Sequence, residues 1–414
     1  MISLALAYLR DRPLTTALNV LLLAVAVAML VLLLQLGTQT SARFERDARG
    51  IDLVVGAKGS PLQLIQSAVF HIDQPTGNIP LESLARLQGD PGVARVVPLA
   101  LGDNFNGYRI VGTDAGFAAL YGTSLAQGRA FAAPMEAVLG AEVARTTGAA
   151  IGQKFVGSHG LADEEGQDQG HDHAPFVTVG ILAPTGGVAD RLILTSVESV
   201  WQVHGIESHH EEPGAHDDHA GHDHADETGP DALEPELTAL LVTYRNAAAA
   251  MRLPAMINRQ SALQAAVPAA ETARLLDLVG TSLEAIRLFA WLLAATGGLA
   301  ILVALIGIVR AREGDLALLR VMGAGRAQVF GTVMLEGLLT ALGGAVLGWV
   351  AAHGLIMAAR AHYPTLAELG FTPWQPLPAE FAVLAGVIGI GALSALIPAI
   401  GVYRLDPARV LARS

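Results

Sequence analysis

Four runs of apolar residues are long enough to cross a bilayer, which takes about 20 residues at 1.5 Å rise each. The first lies between Arg12 and Arg43 and is densest from Ala17 to Leu36. The second is the charge-free run from Leu288 to Val309, the third lies between Arg326 and Arg360 and is broken only by Glu336 and His353, and the fourth runs from Phe381 to Tyr403. The first run exceeds the roughly 7–15 residues of a signal-peptide core, so it reads as a retained span.

Between the first and second runs the pattern changes to short β-branched stretches alternating with helical ones, which predicts an α+β domain. Strands are expected at Ile51 to Val55, Ala94 to Pro98, Tyr108 to Gly112, Phe176 to Leu182, Arg191 to Thr195 and Leu237 to Tyr244. Helices are expected at Pro61 to Val69, Leu81 to Leu87, Ser196 to Val203 and Ala247 to Asn258. From Ala269 no proline interrupts the chain before the second span, so one helix should run through Thr281 into the membrane. Two segments, Ser158 to Ala174 and Glu207 to Pro235, have almost no apolar residues and are expected to be mobile loops.

Composition supports the membrane reading: 52% of the 414 residues are hydrophobic and only 15% are charged. There is no cysteine, which excludes disulfides and thiolate chemistry. Basic residues flank the spans at Arg10 and Arg12, at Arg310, Arg312, Arg320 and Arg326, and at Arg404, Arg409 and Arg413, so those segments should be cytoplasmic. Residues 37–280 are then exported. They hold 15 Lys and Arg against 30 Asp and Glu, which argues against nucleic-acid binding. The expected organisation is an N-terminal elbow with span one (1–36), the exported domain (37–280), span two (281–310), a cytoplasmic connection (311–326), span three (327–359), an outer loop (360–378), span four (379–404) and a cytoplasmic tail (405–414).

The connection reads Arg310-Ala311-Arg312-Glu313-Gly314-Asp315-Leu316-Ala317-Leu318-Leu319-Arg320-Val321-Met322-Gly323-Ala324. Leu316, Leu319 and Met322 or Gly323 share one helical stripe, which predicts a short amphipathic helix at the inner membrane face, stopped by Gly323 and Gly325. This segment resembles the coupling region of MacB/FtsX-like ABC transporter permeases of the LolC/MacB type. The resemblance continues through Leu335-Glu336-Gly337, the run Gly343-Gly344-Ala345-Val346-Leu347-Gly348, and Pro398-Ala399 with Arg404-Leu405-Asp406-Pro407-Ala408. It implies four transmembrane helices with a MacB-like periplasmic core domain. It also implies a partner ATPase of the LolD/MacB-like class that holds ATP-Mg, and a second permease copy or related paralogue. Arg312, Glu313, Leu316, Leu319, Arg320 and Gly323 are the implied ATPase-coupling residues. Lipoprotein, lipid, peptide and efflux substrates, and a periplasmic adaptor or substrate protein, all fit such a mechanotransmission permease in the inner membrane.

No nucleotide-binding signature or catalytic constellation occurs in the chain itself; Gly56-Ala57-Lys58-Gly59-Ser60 lacks the earlier glycine of a phosphate loop and reads as a tight turn before a helix. Glu336 reads as a structural cap or partner contact near the headgroups, with a proton or ion path as the alternative, and for His353, nearer the far interface, packing is an equal reading. Ten of the 13 histidines fall between His159 and His224. His209, His210, His216, His219, His222 and His224 alternate with carboxylates, a ligand set suited to weak, reversible Zn²⁺ or Ni²⁺ binding. The alternative function is accordingly a zinc-responsive envelope sensor or metal-handling protein.

Overall fold

The computed structural model describes residues 2–159, 175–206, 235–311, 313–362 and 372–403. The chain divides into two compact units, Ala42–Leu276 and Met1–Ser41 with Asp277–Ser414. The second unit opens with helices α1 (Ile2–Asp11) and α2 (Pro13–Asp47), the break between them falling at Arg12, before a proline that cannot donate a backbone hydrogen bond.

The α/β unit contains strands β1 (Leu53–Ala57), β2 (Ile79–Pro80), β3 (Val93–Phe105), β4 (Tyr108–Thr113), β5 (Leu125–Gly128), β6 (Glu136–Leu139) and β7 (Lys154–Phe155). They are followed by β8 (Ser158–His159), β9 (Phe176–Leu182), β10 (Ile193–Ser196), β11 (Glu236–Leu237), β12 (Ala239–Tyr244) and β13 (Leu263–Ala266). The main sheet runs β13-β1-β12-β3-β4-β10-β6-β9-β5, with β7 on β9 and β8 on β3, while β2 and β11 pair separately. The β4/β10 and β6/β9 pairs are parallel and the other pairs of the sheet are antiparallel.

Because successive side chains of a strand point to opposite faces, the sheet makes two cores. Val54, Val97, Leu99, Val111 and Leu241 pack on one face with Leu64, Ile65 and Phe117. Leu53, Val55, Val96, Leu240 and Val242 pack on the other with Trp201, Leu253 and Ile257. Each such fully buried aliphatic or aromatic side chain contributes about 1.5–3 kcal/mol. The covering helices α3 (Pro61–Ala68), α4 (Glu82–Gln88), α5 (Ala115–Tyr121), α6 (Ala141–Thr147), α7 (Val197–Val203) and α8 (Ala247–Gln260) mostly start at polar caps. Ser60, Asp114, Ser196 and Asn246 accept the backbone N–H of Gln63, Gly116, Ser199 and Ala249, satisfying donors that a helix start leaves open.

In the helical unit, α9 (Pro268–Ala311), α10 (Glu313–Val321), α11 (Arg326–His362) and α12 (Pro378–Tyr403) follow, and α2, α9, α11 and α12 are each long and apolar enough to cross a membrane. Leu23, Ala26, Val27 and Val31 of α2 pack with Ala294, Ile301 and Leu305 of α9, Ala341 and Ala352 of α11, and Val387 and Ala395 of α12. Small residues set the closest approach: a Cβ added to Gly391 of α12 would collide with Ala341 of α11.

Several expectations need correction. Helix α2 does not end near Leu36 but continues to Asp47. Ser158 and His159, expected in a loop, form strand β8 against Asn104 and Asp103. The strand expected from Arg191 starts at Ile193, because Val188–Arg191 is a short 3-10 turn. The single strand expected over Leu237 to Tyr244 is two, β11 and β12, belonging to different sheets. The remainder of the two expected mobile loops lies outside the described residues.

Candidate coupling site and the histidine-bearing region

Helix α10 is anchored by Leu316, which is buried against Val329, Val333, Ala399 and Val402, with Leu319 and Ala324 beside it. The helix stops because Gly323 adopts φ +103°, a left-handed conformation open to glycine, so that its N–H reaches Arg320 O at 3.1 Å and Ala324 N reaches Leu319 O at 3.0 Å. Two residues later Gln328 Oε1 accepts Gly325 N at 3.0 Å, reaching back to the residue that precedes α11. The expected stripe is therefore shorter than Leu316 to Met322: Leu316 and Leu319 face inward, whereas Met322 is 77% exposed, together with Leu318 and Val321. Arg320 is half-buried. Arg312 and the side chain of Glu313 lie outside the described residues. A cavity of about 250 Å³ opens here, lined by Tyr8 of α1, Leu316, Leu319 and Ala324, and Gln328, Val329 and Thr332 of α11. Glu336, one turn beyond Thr332, is buried, and Arg326 lies 6.0 Å from the Tyr403 ring centre.

Of a second polar constellation the sequence marked only His353. Glu380, in the first turn of α12, is fully buried. Its carboxylate accepts from Gln35 Nε2 of α2 and from Trp349 Nε1 of α11 at 2.7 Å, and faces His353 Nε2 at 3.2 Å. His353 Nδ1 lies 2.5 Å from Pro373 O, and its ring stacks on Trp374 with centroids 5.5 Å apart. Gln35 also donates to Gln375 O, and one turn on Gln39 donates to Thr372 O at 3.2 Å and accepts Thr372 N at 2.9 Å. His353, for which packing is one expectation, is thus a hydrogen-bonding member of a network joining three spans and the 372–375 segment.

In the α/β unit, the last turn of α2 is fixed to the segment after β9. Asp47 Oδ1 accepts Val188 N at 2.9 Å and its carboxylate stands 3.5 Å from Arg43 Nε; Arg46 Nη1 donates to Gly186 O at 2.6 Å, and Phe44 packs on Phe70 at 4.7 Å. Lys58 donates to Asn258 O at 2.9 Å and Leu263 O at 3.2 Å, tying the turn before α3 to the end of α8, as befits a structural turn. His71 adopts φ +54° and is buried, and neither ring nitrogen has a hydrogen-bond partner among the described residues. Burial, reinforced by the guanidinium groups of Arg109 and Arg191, holds its pKa well below the usual histidine value, so it is neutral.

All six histidines expected to bind metal, His209, His210, His216, His219, His222 and His224, lie outside the described residues. Among the described residues no three His, Asp or Glu groups come together as a metal-ligand set. One pair does approach: His204 Nε2, at the end of α7, stands 3.7 Å from Asp103 Oδ1 on β3.

Comparison with known proteins agrees with this architecture. The MacB-like periplasmic core domain family matches residues 16–248, and the FtsX-like permease C-terminal family matches residues 287–407. No curated protein matches the chain. Solved structures similar to it include the periplasmic region of MacB from Actinobacillus actinomycetemcomitans, at 12% identity over 55% of this chain and 95% of that one, with a TM-score of 0.34. Another is the extracellular domain of the noncanonic ABC-type transporter YknZ from Gram-positive bacteria, at 12% identity over 52% of this chain and 98% of that one, with a TM-score of 0.30. With more than half of its length matched by the first family and its last three spans by the second, the chain belongs to the MacB/FtsX-like permeases, the membrane subunits of ABC transporters.

Proposed function

We propose that the chain couples ATP hydrolysis in a separate ATPase to movement of its extracytoplasmic domain, acting as a lever more than as a tunnel. The observation that carries this reading is the continuity of two helices. At 35 and 44 residues, α2 and α9 are about 50 Å and about 65 Å long, well beyond the roughly 30 Å of a bilayer core. The last turn of α2 is held by the buried Asp47, the half-buried Phe44 and a surface hydrogen bond from Arg46, and α9 begins directly after sheet strand β13, so axial motion of either helix has a path into the sheet. At the other end α10 is packed through Leu316 on α11 and α12 while offering Leu318, Val321 and Met322 outward, an arrangement suited to receiving a push from a partner.

In this reading both termini and α10 are cytoplasmic and two permease copies act with two ATPases. The substrate is a lipid, lipoprotein, peptide or efflux compound handled at the outer leaflet. The double substitution Glu313→Arg with Arg320→Glu should leave membrane insertion intact but abolish co-purification of the ATPase or its substrate-stimulated hydrolysis. Wild-type levels of both would sink the coupling role. Because the native chain lacks cysteine, single cysteines at positions 58 and 320 report orientation: a membrane-impermeant thiol reagent applied to intact cells should label 58 and spare 320.

A further inference from the structure

The carboxylate of Glu380 and the ring of His353 meet where α2, α11 and α12 converge, and both side chains are fully buried. Their hydrogen-bond partners fix how many protons the pair must hold. His353 Nδ1 lies 2.5 Å from Pro373 O, and a carbonyl only accepts, so Nδ1 carries a hydrogen. The other ring nitrogen, Nε2, faces Glu380 Oε2 at 3.2 Å, and the same oxygen accepts Trp349 Nε1 at 2.7 Å. Gln35 Nε2 donates to the second carboxylate oxygen, Oε1.

With Nδ1 already protonated, a neutral imidazole would turn the lone pair of Nε2 towards an ionised carboxylate. Two acceptors would then stand at hydrogen-bond distance with no hydrogen between them, and a net negative charge would lie in a dry site. One further proton removes both faults. It sits either on Nε2, which makes an imidazolium–carboxylate ion pair, or on Oε2, which makes a carboxylic acid that donates to the neutral ring. In both arrangements the pair is neutral overall. Among the described residues the other groups around it are uncharged: Gln35 and, through it, Gln39 from α2, Trp349 from α11, and Pro373, Trp374 and Gln375 from the segment before α12. No guanidinium or ammonium group among these partners offsets the carboxylate, so the proton must.

We propose that His353 and Glu380 form a proton-binding site, which holds one proton between them at neutral pH and grips α2 against α11 and α12 most firmly while it is occupied. Trp374, whose ring stacks on His353, is 58% exposed, so one aromatic layer separates the site from its surroundings. Above about pH 6.5 an unfolded chain carries a neutral imidazole and an ionised carboxylate, whereas the folded pair keeps its proton. The stability that the pair contributes is therefore full from about pH 4.3 to 6.5 and is lost as pH rises further, by up to about tenfold in the folding constant per pH unit.

The test uses the full-length chain in detergent. At about pH 8, where a free histidine is neutral and a free glutamate ionised, infrared difference spectra of the native chain against Glu380→Gln and against His353→Gln should show an imidazolium or a protonated carboxyl that both substitutions remove. Glutamine at 353 still offers Glu380 a donor but does not titrate. The melting midpoint of His353→Gln should therefore lose the decline that the native chain shows from about pH 6.5 to 8.5, whereas a purely structural loss would lower the midpoint equally at every pH. An ionised Glu380 beside a neutral His353 at about pH 8 overturns the proposal, as does an unchanged pH slope in His353→Gln. Should Glu380→Gln fail to fold, the spectra and melting curves of the native chain and His353→Gln decide the matter alone.

Discussion

Replacing Glu380 by alanine is the sharpest probe of the membrane bundle. The carboxylate is fully buried and serves as acceptor for Gln35 Nε2 and Trp349 Nε1 and as partner of His353 Nε2. Alanine leaves two donors certainly stranded, each at about 1–3 kcal/mol, so the loss is about 2–6 kcal/mol. For a unit of this size that corresponds to a fall in melting midpoint of roughly 5–20 °C. Glu380→Gln discriminates the cause. An amide offers one acceptor oxygen and one NH₂, so either Gln35 or Trp349 then faces a donor; the cost should be about half that of alanine. Trp349→Phe, which removes one donor, should fall in the same range. Intrinsic fluorescence of the purified chain in detergent is a direct readout, because Trp349 and Trp374 are both in the network, their rings 6.2 Å apart. If Glu380→Ala melts within about 2 °C of the native chain, or Glu380→Gln is indistinguishable from it, the network does not hold the spans together as reasoned.

His71 gives a pH dependence with a definite sign. Its folded pKa is depressed, first by burial and then by Arg109 and Arg191, so as pH falls below about 6.5 the unfolded chain takes up a proton that the folded one refuses. Stability of the α/β unit is therefore full above about pH 6.5 and declines below it by up to about 1.4 kcal/mol per pH unit. His71→Asn, which tolerates the positive φ, should flatten the melting temperature between pH 6.5 and 5; an unchanged slope would refute the assignment. In the bundle, Gly391→Val should cost about 1–3 kcal/mol by forcing α12 away from Ala341, whereas Gly389→Ala, with open space around it, should be close to neutral; equal melting points for the two would contradict the packing described.

The four spans were legible in the sequence because crossing a bilayer demands length and apolarity, which are properties of the chain alone. Strands β9 and β12 were legible for a similar reason, since alternation or continuous β-branched runs mark strands covered on one or both faces. Strand β5, exposed along its whole length, and β13, with no strong alternation, carried no such mark and exist because a neighbour in the sheet pairs with them. Likewise α2 runs past Leu36 through Gly-Thr-Gln-Thr-Ser, a stretch no helical propensity would extend; Gln39, Phe44 and Asp47 hold it through tertiary contacts.

The site divides along the same line. Helix α10 was readable because its determinants are local: inward Leu316 and Leu319 at helical spacing, and a glycine stop at Gly323. Its outward face, with Met322 in solvent, was decided by how α11 and α12 receive it. Gln35 and Glu380 stand 345 residues apart, and only the bundle brings them together. Asp103 and His204 meet because β3 pairs with β4 and α7 packs over both, placing a buried carboxylate beside a helix end. Periodicity fixes which face of an element is buried; which polar groups then share a dry site depends on sheet order and helix packing, and those are set by contacts between residues that the chain itself keeps far apart.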